Sequence, residues 1–108
     1  MANITNVNPM VLDTAGTTNL GQSFPMQVTK IIWEGTTIAQ GDQLVISDGA
    51  GTSTLIERTA SLQDIGSAST AQSITIDFQS NPRILPTLLA GGWRLSTMTH
   101  GKITLYYV

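Results

Sequence analysis

The residues able to do chemistry are few. The chain holds one histidine, seven carboxylates and no cysteine. His100 is the only candidate for imidazole acid–base work, and a Ser-His-Asp arrangement would have to use it. It sits beside Gly101 in Thr99-His100-Gly101-Lys102, a turn sequence, and no Gly-x-Ser-x-Gly elbow accompanies it. The expected place of His100 is a solvated turn. The carboxylates are Asp13, Glu34, Asp42, Asp48, Glu57, Asp64 and Asp77. Glycoside hydrolysis needs two of these across a cleft, and short strands leave little room for one. Asp42, Asp48 and Asp64 lie next to glycine or small polar residues, where an Asp side chain serves local backbone donors. Asp48-Gly49-Ala50-Gly51 lacks the ligand spacing of a calcium loop. Thr99–Ile103 fails as a phosphate-binding loop: Ser96 stands at the first glycine position, and Ile103 follows the lysine. The inventory predicts no catalytic residue, no metal ligand and no cofactor, and the chain is not expected to be an enzyme.

The aromatic residues offer a second chemistry. Sugar-binding modules stack apolar sugar faces on exposed rings. Trp33 alternates in phase with Ile31, and Trp93 with Leu95, which predicts core positions for both. Tyr106, on the polar side of the last strand, is the better candidate for an exposed ring. A carbohydrate-binding or fibre-associated β-domain is therefore the alternative function.

Any such residue must be positioned by strands. Gly and Pro occur fourteen times in 108 residues and punctuate short runs rich in Ile, Val, Thr, Tyr and Trp. The clearest runs are Val28–Glu34, Gln43–Ser47, Thr52–Thr59, Ser73–Phe78, Gly92–Met98 and Lys102–Val108. Such lengths and spacings predict an all-β domain, an antiparallel sandwich or jelly-roll-like fold of about seven or eight strands. Asp48–Gly51 and His100-Gly101 read as hairpin turns needing positive φ. Pro82 and Pro86 bracket Arg83-Ile84-Leu85, which suits an edge segment because proline cannot donate to a ladder. Gly66–Gln72 reads as a loop, and Leu62–Ile65 as at most one helical turn. In Val28–Glu34, Ile31 and Trp33 oppose Val28, Ile32 and Glu34. Large apolar groups thus fall on both faces, so the strand is central or its outer face meets another subunit.

Composition bounds the partners. The chain is one domain with enough apolar residues for a core. Only 11% of residues are charged, and the net charge is −2. Nucleic-acid binders cluster Lys and Arg, whereas the five basic residues here are scattered. No run is long enough to span a membrane as a helix, and Met1–Asn6 lacks the features of a secretory signal. Few charges and 25 threonines and serines suit a surface that meets other subunits. Residues 1–26 form a polar N-terminal arm or an ordinary first strand, ahead of a β-sandwich domain at 27–108. Ile4, Val7, Met10 and Leu12 of that segment are the candidate contacts, with Tyr106.

Three stretches carry a resemblance: Val28–Gly35, Gly41–Thr52, and the closing pair Gly92–Thr97 and Gly101–Val108. They resemble small virion proteins of tailed bacteriophages, compact β-domains that decorate or cement the capsid. The resemblance implies a structural role in the virion. It also implies a homo-oligomer, with a trimer as the first guess, and the major capsid protein or another virion protein as partner.

Overall fold

A computed structural model describes residues 9–16, 19–61, 71–78 and 81–108. The order of elements is β1 (Met10–Leu12), β2 (Met26–Ile38), β3 (Gln43–Asp48), β4 (Thr54–Thr59), β5 (Ala71–Asp77), β6 (Arg83–Leu85), a 3₁₀ turn (Leu88–Ala90), β7 (Trp93–Met98) and β8 (Lys102–Tyr107). All strand pairing is antiparallel. The larger sheet runs β1-β8-β2-β5, and β6 joins it by pairing with the start of β2. The smaller sheet runs β4-β3-β7. The fold is the expected all-β, sandwich-like arrangement, with eight short strands among the described residues.

β2 is the spine of the larger sheet. Its first three residues pair with β6, its later residues with β5, and its other edge with β8. The strand also resolves the two-faced pattern in the sequence. A register shift between Val28 and Lys30 marks a β-bulge, which moves the side-chain alternation by one residue. Met26 and Val28 before the bulge, and Ile31 and Trp33 after it, all face the core and are fully buried. Strict alternation places Val28 on the outer face; the bulge brings it inside. Ile32 stays on the outer face, level with Thr104 and Thr75 on the flanking strands.

The core lies between the sheets. The larger sheet contributes Met10, Leu12, Ile31, Trp33, Ile103 and Leu105, and the smaller one Leu44, Ile46, Ile56, Trp93 and Leu95. β8 alternates as its sequence predicts, with Ile103 and Leu105 buried and Lys102 exposed. The outer edge of β7 is not left bare. Gly16 donates to the Leu95 carbonyl at 3.0 Å, and Leu20 and Trp93 exchange both backbone bonds.

Turn chemistry sets the hairpins. Between β3 and β4, the Asp48 carboxylate accepts from the amides of Thr52 at 2.8 Å and Ser53 at 3.2 Å. Gly51 takes φ +74° there, and Gly101 takes φ +84° between β7 and β8. A side chain at Gly101 would press on the Glu34 carbonyl, so this glycine provides close approach as well as backbone freedom.

The expected boundaries shift at several ends. β2 begins at Met26 and runs to Ile38, and β5 begins at Ala71, inside the stretch expected to be loop. β6 occupies Arg83–Leu85 between the two prolines and lies on the edge. The possible helical turn at Leu62–Ile65 falls outside the described residues.

Candidate functional site

The two ends of the sandwich differ in character. At the end where β2 finishes and β3 begins, the turn into β3 meets the β7–β8 hairpin. Asp42 is buried and half-exposed His100 lies against it, with His100 Nδ1 2.7 Å from Asp42 Oδ2. The same carboxylate oxygen accepts from the Ala39 amide at 2.9 Å. Burial pushes the Asp42 carboxyl up. The Ala39 amide, the hydrogen bond from His100 and the His100 charge outweigh it and hold the group below the ordinary aspartate range. The Trp33 indole donates to the His100 carbonyl at 2.8 Å and anchors the hairpin to the core. Thr99 completes the clasp: its hydroxyl accepts from the Gln43 amide, and its amide donates to the Gln43 carbonyl, each at 3.0 Å.

Chemically this is a carboxylate–imidazole pair without a third member. Among the described residues no hydroxyl bonds Nε2 of His100, so nothing there stands ready as a nucleophile. No group of three metal-ligating side chains converges among the described residues either. What the pair does is tie two turns together. The sequence placed Asp42 in turn chemistry, which the Ala39 bond matches, and His100 in a solvated turn, where it lies exposed. What the sequence did not show is its partner, Asp42, 58 residues away.

The opposite end is apolar. Phe24, Ile84, Leu88, Leu89 and Val108 are the large hydrophobic residues left exposed among the described ones, and Leu89 is 99% exposed. They gather where β2 begins and β8 finishes. Val108 and Gln27 exchange both backbone bonds, and Gln27 lies opposite Ile84 on β6. Val108, Gln27 and Ile84 therefore form one row on the outer face of the larger sheet. The Phe24 ring contacts the Tyr107 ring, with centroids 6.3 Å apart. The Leu88 amide bonds the Gln22 carbonyl, which sets the 3₁₀ turn beside the entry to β2. Thr87 caps that turn through its side chain; the half-exposed Leu88 side chain lies over Gly21 and Gly92, and Leu89 stands out in water.

The sequence-predicted contacts fare unevenly. Met10 and Leu12 are fully buried in the chain's own core on β1, which pairs with β8. They are core residues and not surface contacts, because β1 turns its apolar side chains inward. Ile4 and Val7 lie outside the described residues. Tyr106 is half-buried, with Lys30 Nζ 4.7 Å from its ring centroid. Trp33 and Trp93 are fully buried, so neither can serve as a sugar platform. The apolar end escaped the sequence reading. Its one visible signal was Leu88-Leu89, two large apolar residues outside any alternating strand and just after Pro86-Thr87.

No helix among the described residues is long and apolar enough to cross a membrane. In comparisons with known proteins, no protein-family model, curated protein or solved structure matches the chain.

Proposed function

We propose that the chain is a structural protein of a phage virion, a decoration or cement protein that stabilises the head by bridging capsid subunits. The observation that carries this reading is the apolar end. Among the described residues five large hydrophobic side chains, Phe24, Ile84, Leu88, Leu89 and Val108, keep 42% to 99% of their surface in water toward the end where β2 begins. Scattered exposed apolar residues are ordinary, but a group of them marks a contact. The low charge of the chain agrees, since charged side chains are depleted where subunits meet. The mechanism is buried area. Each copy adds association free energy on the subunits it touches, and linked copies add avidity.

The test is cosedimentation with undecorated heads of the phage that encodes the chain. Wild-type protein is expected to saturate the heads at a fixed stoichiometry, and Leu89→Asp to bind at least about tenfold more weakly, the loss expected for one buried leucine. Leu89 has almost no contact with its own chain, so the substitution leaves the fold intact. Wild-type protein that stays in the supernatant overturns the proposal.

A further inference from the structure

We propose that Asp48-Gly49 is a modification site: the link between these residues isomerises to isoaspartate when the β3–β4 turn opens, and the folded turn holds it unreactive.

The sequence supplies the chemistry. The backbone nitrogen that follows an aspartate can attack that aspartate's Cγ. A bond from N to Cγ forms, the bond from Cγ to the protonated carboxyl oxygen breaks, and the amide proton leaves with that hydroxyl as water. Water then adds to one of the two carbonyls of the five-membered ring. Opening at Cγ restores aspartate. Opening at the backbone carbonyl leaves the chain running through Cβ and Cγ, which is isoaspartate. Only water enters, so no further reactant is needed. A side chain on the attacking residue shields its nitrogen, and glycine has none. Asp13, Asp42, Asp64 and Asp77 precede Thr14, Gln43, Ile65 and Phe78, and no asparagine precedes a glycine. Asp48-Gly49 therefore stands alone in the chain.

The fold both demands this dipeptide and disarms it. Asp48 caps the turn, and a Cβ at Gly49 would overlap the Gly91 carbonyl oxygen. Three restraints oppose the reaction. The Gly49 amide, which is the nucleophile, donates to the Gly92 carbonyl at 3.0 Å. The Asp48 backbone is held as strand by its amide bond to the Ser53 carbonyl at 2.9 Å and by its register with Trp93 on β7. Closing the ring would swing the Gly49 nitrogen toward the Asp48 side chain and away from Gly92. The carboxylate itself is engaged further along the chain. Its Oδ1 accepts from the amides of Thr52 and Ser53, and its Oδ2 from the Thr52 hydroxyl at 3.0 Å. These donors, the Ser53 amide foremost, outweigh burial and hold the carboxyl below the ordinary aspartate range. An ionised carboxylate has no hydroxyl to lose.

All three restraints fail together when the turn opens, and a local opening costs less free energy than global unfolding. Isoaspartate adds a methylene to the backbone where β3 meets both β4 and β7. A chain altered there cannot restore the register of Asp48 with Trp93, so the change is a permanent record of opening.

The experiment incubates wild-type protein at neutral pH, folded and in guanidinium chloride. Peptide mapping with fragmentation that distinguishes the two backbones then locates isoaspartate. In denaturant it is expected at residue 48 ahead of every other aspartate. In the folded protein it should accumulate at least about tenfold more slowly. Thr52→Val keeps the amide bond and removes the hydroxyl bond to Oδ2. Folded, this variant should isomerise about fivefold faster than wild type, the shift that one hydrogen bond gives. In denaturant the two should match, because residue 52 lies outside the ring. Isoaspartate that favours another aspartate in denaturant overturns the site. Equal rates for folded and denatured wild type overturn protection by the turn, and so does a folded Thr52→Val rate equal to that of wild type. The wild-type comparison needs no variant to fold.

Discussion

Replacing each tryptophan by phenylalanine separates two indoles that are alike in burial and unlike in hydrogen bonding. Trp33 and Trp93 are both fully buried. Trp33 Nε1 donates to the His100 carbonyl at 2.8 Å, whereas Trp93 Nε1 is buried with no acceptor among the described residues. Loss of ring volume and apolar contact is common to both variants and largely cancels in their difference. Trp33→Phe then loses a hydrogen bond of about 1 kcal/mol, and the freed carbonyl at the half-exposed turn can take water. Trp93→Phe instead removes an unsatisfied donor whose burial costs about 1–3 kcal/mol. The difference is about 2–4 kcal/mol in favour of Trp93→Phe, or roughly 10–20 °C in Tm for a domain of this size. Urea titration followed by fluorescence of the remaining tryptophan measures it. Equal losses, or a larger loss at Trp93, would refute the reasoning.

Asp42 makes stability depend on pH. Its folded-state value is lowered, so its contribution is present above the ordinary aspartate range and is lost as pH falls through the folded value. The urea midpoint of wild type should therefore fall more steeply in acid than that of Asp42→Asn. Asp48 is held low by the Ser53 and Thr52 amides and the Thr52 hydroxyl, its slight burial opposing them. With Asp48→Ala, hydrogen exchange at Thr52 and Ser53 should speed up, with the β2–β8 ladder unchanged. At Gly49 an added Cβ would overlap the Gly91 carbonyl oxygen and lie 2.8 Å from Asn19 Nδ2, so Gly49→Ala should cost about 3 kcal/mol. Gly41→Ala meets no atom within 4 Å and carries only the backbone cost of φ +93°, about 1 kcal/mol. Thermal melts of the pair check the ordering.

The strands and the hairpins were legible because alternation and turn residues are local signals. Ile103, Leu105 and Trp93 fell on the buried side by period alone, and Asp48–Gly51 declared its turn by composition. The bulge in β2 was not legible, because the strain and pairing that place an extra residue there depend on β8, many residues away. Nor was the Asp42–His100 clasp, whose partners meet only once β3 and β7 are paired. The apolar end was hidden for a related reason. Phe24, Ile84, Leu88 and Val108 lie far apart in sequence, and only the arrangement of β2, β6 and β8 makes them neighbours. Met10 and Leu12 split the reading: the ordinary first strand is what β1 is, whereas their use as surface contacts fails because their sheet partner β8 lies at the far end of the sequence.

The strand order also dictates a history for each molecule as it forms. β8 sits between β1 and β2, yet it is the last of the eight strands to leave the ribosome. Until then β2 has a bare edge along most of its length, and β1 has no neighbour at all among the strands made before it. Local hairpins such as β3–β4 can form early, but closing the larger sheet waits for a segment more than sixty residues downstream. Pairings over such spans are slow, and unpaired edges left open meanwhile invite association between nascent chains. Crowded synthesis of many copies would put those edges within reach of one another. The step that completes the core, insertion of β8, is thus also the step that ends the exposure.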